Sequence, residues 1–182
     1  YLNWANEVYK PTYITQHTLN LTGGSEVGRY LVSFDYLDQP GLVKNTEYQR
    51  YSYRVNTDLN IGKMLKVSSD VTYRHVDRLW PESLGSVQYD VWSMQPTSPV
   101  RYENGDYRLD KQNRNAISLM DLDVVGEDRY NMDVVYGQVK ADFEPIKDLV
   151  FTGMASLNGS WDRRKIHYKN YKYYNETGEL VT

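Results

Sequence analysis

Residues 51–61 read Tyr51-Ser52-Tyr53-Arg54-Val55-Asn56-Thr57-Asp58-Leu59-Asn60-Ile61. Side chains of a β-strand alternate between its two sides. On that period Tyr51, Tyr53, Val55, Thr57, Leu59 and Ile61 share one face, and Ser52, Arg54, Asn56, Asp58 and Asn60 share the other. The segment is therefore a strand with one apolar and one strongly polar side, and it is longer than the ~5–6 residues usual in a soluble sheet.

The same alternation extends in both directions. Gln16–Thr22 places Leu19 and Leu21 together, with His17 out of the polar register, and Arg29–Leu37 places Tyr30, Val32, Phe34 and Tyr36 together. Leu65–Tyr73 aligns Leu65, Val67, Val71 and Tyr73 against Lys66, Ser68, Asp70 and Thr72. Val135–Phe143 aligns Val135, Val139 and Phe143, and Leu149–Trp161 aligns Leu149, Phe151, Ala155, Leu157 and Trp161. These are six strands, and a seventh is expected around Lys165–Tyr174.

The connections differ systematically in length. Gly23-Gly24-Ser25, Ile61-Gly62-Lys63 and Pro145-Ile146-Lys147-Asp148 are tight, whereas Asp38-Gln39-Pro40-Gly41 opens a longer turn and Asp77–Asp128 is a long loop. Short and long connections thus fall at opposite ends of the strands, as in membrane barrels with short periplasmic turns and long extracellular loops. The expected organisation is a lead-in segment over 1–14, four barrel strands over 15–76, a long extracellular loop over 77–128 and further barrel strands over 129–182. Within the loop, Ser86–Met94 has the pattern of a short amphipathic helix, after which Pro96, Pro99 and the Asn104-Gly105 turn break the chain.

Composition agrees with this class. The 182 residues contain 18 Tyr, 4 Trp and only 3 Phe, a bias suited to surfaces apolar at one end and wet at the other. Mean hydropathy is -0.70, which excludes an apolar helical span but not strands that show lipid every second side chain. No cysteine is present, so thiol chemistry and disulfides are excluded, and the net charge of -3 offers no footprint for nucleic acid. The start Tyr1-Leu2-Asn3-Trp4 has no signal-peptide pattern and no initiator Met, so the chain is read as an internal fragment.

Catalytic and metal chemistry find no pattern. His17, His75 and His167 stand on separate segments with no ligand spacing, and no nucleophile or phosphate-binding motif occurs. Asp121, Asp123, Glu127 and Asp128 lack the glycine and terminal Glu of a calcium loop and read as a solvated acidic stretch. No cofactor is expected, and no enzyme. Three sequons, at Asn20, Asn158 and Asn175, read as chance. Tyr30, Tyr51, Tyr53 and Tyr73 are expected at lipid-facing or girdle positions. Tyr89, Trp92, Tyr102 and Tyr107, beside Arg101 and Asn104, either pack the long loop on its own aromatics or offer rings and polar groups to a sugar.

Several stretches resemble a known family. Leu21-Thr22-Gly23-Gly24-Ser25-Glu26, Arg29-Tyr30-Leu31-Val32-Ser33 with Tyr36, Asp38-Gln39-Pro40-Gly41-Leu42-Val43 and Tyr48-Gln49-Arg50-Tyr51-Ser52-Tyr53-Arg54-Val55-Asn56 together resemble SusC/RagA-type TonB-dependent transporters. Pro96-Thr97-Ser98-Pro99-Val100 with Asn104-Gly105-Asp106-Tyr107, and Phe143-Glu144-Pro145-Ile146-Lys147-Asp148-Leu149, resemble a loop and a periplasmic turn of the same family. The resemblance implies an all-β fold: antiparallel strands from an outer-membrane barrel of about 22 strands in the bacterial cell outer membrane, with one long, partly helical extracellular loop. It also implies import of oligosaccharides or peptides, a SusD-like surface lipoprotein as partner, and contact with the TonB complex through a plug region absent from this chain. Arg54, Asn56, Asp58 and Asn60 would then face the lumen or plug, and the opposite face would meet lipid. The loop group Tyr89, Trp92, Arg101, Tyr102, Asn104 and Tyr107 is the candidate substrate-binding set. The alternative is a soluble extracellular β-domain that binds carbohydrate through Tyr and Trp.

Overall fold

A computed structural model describes residues 1–175 and 177–181. Glu176, inside the third sequon, and Thr182, at the end of the 129–182 segment, lie outside the described residues. Six strands pair strictly in chain order and all antiparallel: β1 (Thr15–Gly24), β2 (Gly28–Asp38), β3 (Glu47–Ile61), β4 (Leu65–Pro81), β5 (Gly126–Ile146) and β6 (Leu149–Tyr168). The register of β3 is continuous with both neighbours and sets its central apolar side chains between like partners: Tyr53 between Phe34 and Tyr73, Val55 between Val32 and Val71.

The strands outrun their alternating cores. β4 continues to Pro81 rather than Tyr73, β5 begins at Gly126 rather than Val135, and β6 continues to Tyr168 rather than Trp161. Beyond those points charged residues occupy both faces (Asp77 and Arg78, Asp128 and Arg129), so the two-sided pattern is lost. Ladder pairing nonetheless persists through Trp80↔Asp128 and Pro81↔Glu127. Lys165–Tyr168 accordingly closes β6 instead of opening a seventh long strand. Further on, the two-residue β7 (Tyr173–Tyr174) pairs with β8 (Leu180–Val181), and Tyr174 also bridges to Arg108.

At one end of the sheet the strands turn over Ser25–Val27, Gly62–Met64 and Lys147–Asp148, with Gly62 (φ +66°) and Asp148 (φ +67°) in the left-handed region that tight turns require. At the other end lie residues 39–46 and the long loop 82–125.

The buried core sits off the sheet, at that long-loop end. Helix α1 (Trp4–Val8) is capped by Asn3, whose side chain accepts from the amides of Ala5 (3.1 Å) and Asn6 (3.3 Å). Trp4 and Val8 of α1 pack with Val43, with Val87 and Val91 of α2 (Leu84–Ser93), and with Met94, Ala116 and Met120. Helix α2 begins two residues before the Ser86–Met94 pattern and ends one before it. A second cluster joins Tyr107, Val124 and Val125 with Tyr171 and Tyr173.

Two buried polar residues hold the loop. Asn115 donates to the carbonyls of Val100 and Arg108 (both 2.8 Å) and accepts from the amides of Ile117 and Ser118 (both 3.1 Å). Asp110 takes the amides of Gln112 and Arg114 and the Arg114 guanidinium (2.9 Å to NH2). Such a loop satisfies its backbone from within and does not need a ladder.

Candidate functional site

The register gathers the apolar positions of the alternating segments on one surface. Its rows run across the six strands: Leu21, Val32, Val55, Val71, Gly137 and Leu157 form one, and Leu19, Phe34, Tyr53, Tyr73, Val135 and Gly159 form the next. This face is open: Leu19 is 69% and Leu157 68% exposed. Between its apolar rows, Thr57 and Ser69 satisfy each other at 2.7 Å.

Toward the long-loop end the face is closed by rings. His17, Tyr36, Tyr51 and His75 make a cross-strand row with centroids 6.4, 4.9 and 6.3 Å apart, which explains why His17 broke the polar register of β1. Below it Phe34, Tyr53 and Tyr73 stand 5.0 and 6.1 Å apart. The row ends in a polar knot where Asp133 accepts the Tyr73 hydroxyl (2.6 Å) and meets His75 Nδ1 (2.7 Å). Tyr30 lies nearer the short turns, two rows below Phe34 on the same face.

The opposite face is a hydrogen-bonded polar mesh. Asp35 accepts from Gln16 (2.6 Å), Thr18 (2.9 Å) and Arg50 (2.9 Å). Arg54 reaches Thr72 (3.5 Å), Asp58 accepts from Ser68 (2.6 Å), and Asn60 donates to the Glu26 carbonyl in the turn (2.8 Å). Asn56, with its amide turned to suit its neighbours, donates to Asp70 (3.1 Å). Arg29, Asn56, Asp58, Asp70 and Lys140 line a concavity of about 340 Å³ on this face.

Of the six loop residues singled out from sequence, three come together. Arg101, Tyr102 and Asn104 line a concavity of about 660 Å³ with Asp106, Arg108 and Tyr174. The turn that shapes it needs Gly105 at φ +91°, and Arg101 donates to the Gly105 carbonyl (2.6 Å). The Tyr102 hydroxyl donates to the Asn175 carbonyl, and Asn104 donates to Asp106 (2.9 Å). Tyr107 lies beneath, 3% exposed, with Arg101 3.5 Å above its ring and its hydroxyl on Asp121 (2.8 Å). It supports Arg101 and presents no face of its own. Tyr89 and Trp92 sit apart from that lining, one turn apart on α2 and 70% and 77% exposed.

One group escaped the sequence reading. Arg78 lies between the rings of Trp80 (3.8 Å) and Tyr130 (5.0 Å), while Asp128 takes Arg164 through both oxygens (2.9 and 2.7 Å) and Arg78 at 3.7 Å. These residues continue the polar face into the strand extensions under the cap. Their signal was present as two i, i+2 pairs, Arg78 with Trp80 and Asp128 with Tyr130, but the period-two reading had stopped short of them.

The acids of the loop take separate partners: Asp121 the Tyr107 hydroxyl, Asp123 the Lys169 ammonium (2.8 Å), Glu127 the Arg129 guanidinium (3.8 Å) and Asp128 the two arginines. The hydrogen bond from Lys169 lowers the pKa of Asp123 below the usual carboxylate range. Burial raises that of Asp90 in α2, and burial followed by the hydrogen bond to Asp121 holds the Tyr107 phenol well above its ordinary value.

An antiparallel sheet with one open apolar face, one polar face and loops sorted by end defines a wall section of a large β-barrel. No protein-family model matches the chain. It is 30% identical over 106 residues, 58% of its length, to TonB-dependent receptor P26 of Formosa agariphila. It is 25% identical over 105 residues to the TonB-dependent receptor SusC of Bacteroides thetaiotaomicron. It spans 10% of the length of each of these relatives. The solved RagAB peptide transporter superposes with a TM-score of 0.73 over 90% of this chain and 19% of that one, at 22% identity. A RagAB peptide importer structure in an open-open state gives 0.72 at 21% identity. The chain is thus similar, as its motifs are, to a section of SusC/RagA-type TonB-dependent transporters.

Proposed function

We propose that this chain forms six wall strands of a TonB-dependent importer in the bacterial outer membrane. The observation that carries this reading is the unbroken apolar face shared by all six strands and left open to the surroundings. From Tyr51 to Ile61 that face covers ten residue steps. At ~3.4 Å per step and a tilt of ~40°, it rises ~26 Å, matching the ~25 Å apolar band of outer-membrane barrels. The aromatic rows then mark the interface on the long-loop side, which is extracellular, and the tight turns are periplasmic.

The polar face with Arg54, Asn56, Asp58 and Asn60 lines the lumen or meets a plug. A face on which most charges already have partners suits a wall wet on one side and does not suit a catalytic centre. The cargo is an oligosaccharide or peptide. Its contacts fall to Arg101, Tyr102 and Asn104 in the loop concavity, to Tyr89 and Trp92 on α2, and to Trp80, Arg78 and Tyr130 below. Tyr107 serves by holding Arg101. A SusD-like lipoprotein closing over the long-loop end and a TonB complex acting on a plug complete the assembly, as the similarity to SusC and RagAB suggests.

A soluble carbohydrate-binding domain is the weaker reading, because it would leave the apolar face of six strands in water. The deciding experiment fractionates membranes from cells expressing the intact protein and compares boiled and unboiled samples on a gel. A heat-dependent mobility shift in the outer-membrane fraction is expected. An intact protein in the soluble fraction with no shift would defeat the reading.

A further inference from the structure

Strand β6 carries three consecutive cations, Arg163-Arg164-Lys165, and alternation sends them to opposite faces. Arg164 goes to the polar face, where Asp128 clasps it. Arg163 and Lys165 go to the other side, in the same column as Trp161 and directly above the apolar band. Across the ladder Lys165 stands opposite Arg129, and Arg163 stands opposite Asn131. Like charges directly opposite on neighbouring strands repel. Among the described residues, Glu127 is the acid that approaches this pair, at 3.8 Å from Arg129. Asp133 lies within electrostatic range of Arg163 but is engaged by Tyr73 and His75. Among the described residues, no hydrogen bond or ion pair closes on Arg163 or Lys165.

Small residues lie below these cations. Gly137 of β5 and Gly153 of β6 lie on the apolar face, and an added Cβ would meet nothing within 4 Å at either. Ala141 and Ala155 share that face, so β5 and β6 are low around these small residues, with Leu157 and Val139 standing between them. On the lipid-facing reading, cations above this part of the face, beyond the ring row, stand at headgroup depth. Acyl chains would lie along the small residues beneath.

We infer that Arg129, Arg163 and Lys165 form a clamp on the outside of the wall for the phosphate group of an anionic lipid in the leaflet on the long-loop side. The phosphate would sit between Arg129 and Lys165, converting a repulsive cross-strand pair into two charge-assisted contacts, with the guanidinium forks supplying paired donors. The inference rests on the lipid-facing reading of the apolar face given above.

The test uses the intact protein in nanodiscs and in detergent, with phosphatidic acid and phosphatidylcholine of the same acyl chains as probes. Wild type is expected to retain phosphatidic acid preferentially, and R129Q/R163Q/K165Q to lose that retention about tenfold. The charge-matched loop variant K44Q/K111Q/K172Q is expected to behave as wild type. Lys165→Glu adds a sharper arm: it makes the pair with Arg129 attractive, so the barrel should hold at least as firmly while lipid retention falls. A merely structural role for Lys165 would not separate these two readouts. Equal retention by wild type and the triple variant would overturn the clamp, as would displacement of the lipid by millimolar inorganic phosphate. Quenching by brominated lipid, compared between wild type and Trp161→Phe, checks the underlying reading independently. If Trp161 is quenched and the triple variant still retains lipid, the clamp alone has failed. If Trp161 is not quenched, the lipid-facing assignment itself has failed.

Discussion

The sheet and the cap above it solve opposite problems with the same alphabet of residues. In the cap, apolar side chains turn inward: Val8 and Val87 are completely buried, and Asn115, 1% exposed, satisfies four backbone groups around them. In the sheet, Val55, Val71 and Leu157 point outward, and no layer packs on them. The cap is a small water-soluble core, and the sheet is held by its ladder and by whatever apolar medium covers its face. Stability in the two regions should therefore respond to different insults, and that difference can be broken or sharpened by experiment.

The largest effect is expected at the middle of the open face. Val71→Arg in the intact barrel should cost about 2–4 kcal/mol and reduce the heat-resistant folded fraction, because on the proposed lipid-facing reading an arginine there sits at mid-bilayer depth. Gln138→Arg, on the polar face opposite Asp70, should change stability by less than ~0.5 kcal/mol. Equal effects at both positions would erase the distinction between the faces.

Next comes a change confined to the cap. Asn115→Ala strands two carbonyls and two amides and should cost about 2–3 kcal/mol locally. Limited proteolysis should then cut within residues 96–120 while the barrel still runs as a folded species on an unboiled gel. A backbone test at the junction should be comparable. Gly126 has φ +89°, and an added Cβ would lie 1.8 Å from the His167 carbonyl oxygen. Gly126→Ala should therefore loosen the top of β5 and β6 together.

The cap should also respond to pH. Burial raises the Asp90 pKa in the folded cap above its unfolded value, so the folded state holds a proton that the unfolded state releases. That contribution is present in acid and is lost as pH rises through the raised value. Asp90→Asn should increase protease resistance at neutral pH and flatten the profile on the acid side. Tyr107, held neutral by burial and Asp121, should make the cap loosen above about pH 10. Measured by proteolysis across pH, neither change should alter the strands.

The smallest structural effect is expected from Trp92→Ala and Tyr89→Ala. Both rings are exposed, so stability should shift by under ~0.5 kcal/mol. Binding of the cargo, or of a partner on the long-loop side, should weaken by about 1–2 kcal/mol. Unchanged binding by calorimetry would remove these rings from the candidate site.

The strand pattern was legible in the sequence because a two-sided environment writes itself at period two. Tyr51–Ile61 alone specifies which side chains share a face, and the turns at Gly62 and Asp148 follow from local backbone preference. The same logic failed where the environment stopped being two-sided. Beyond Tyr73 and before Val135 charged residues occur on both faces, so eight further residues of β4 and nine of β5 carried no alternation, and only ladder pairing shows them to be strand. The cap was still less readable. That Tyr107 is buried while Trp92 is exposed, that Arg101 rests on Tyr107, and that Arg78 lies between Trp80 and Tyr130 depend on contacts between distant segments. The sequence by itself determined the fold class, the existence of the six long strands and the division into an apolar and a polar face, since those are local and periodic. The tertiary structure decided which loop residues meet and which cations are left without a counter-charge, because those outcomes arise from register and packing, and no local pattern encodes them.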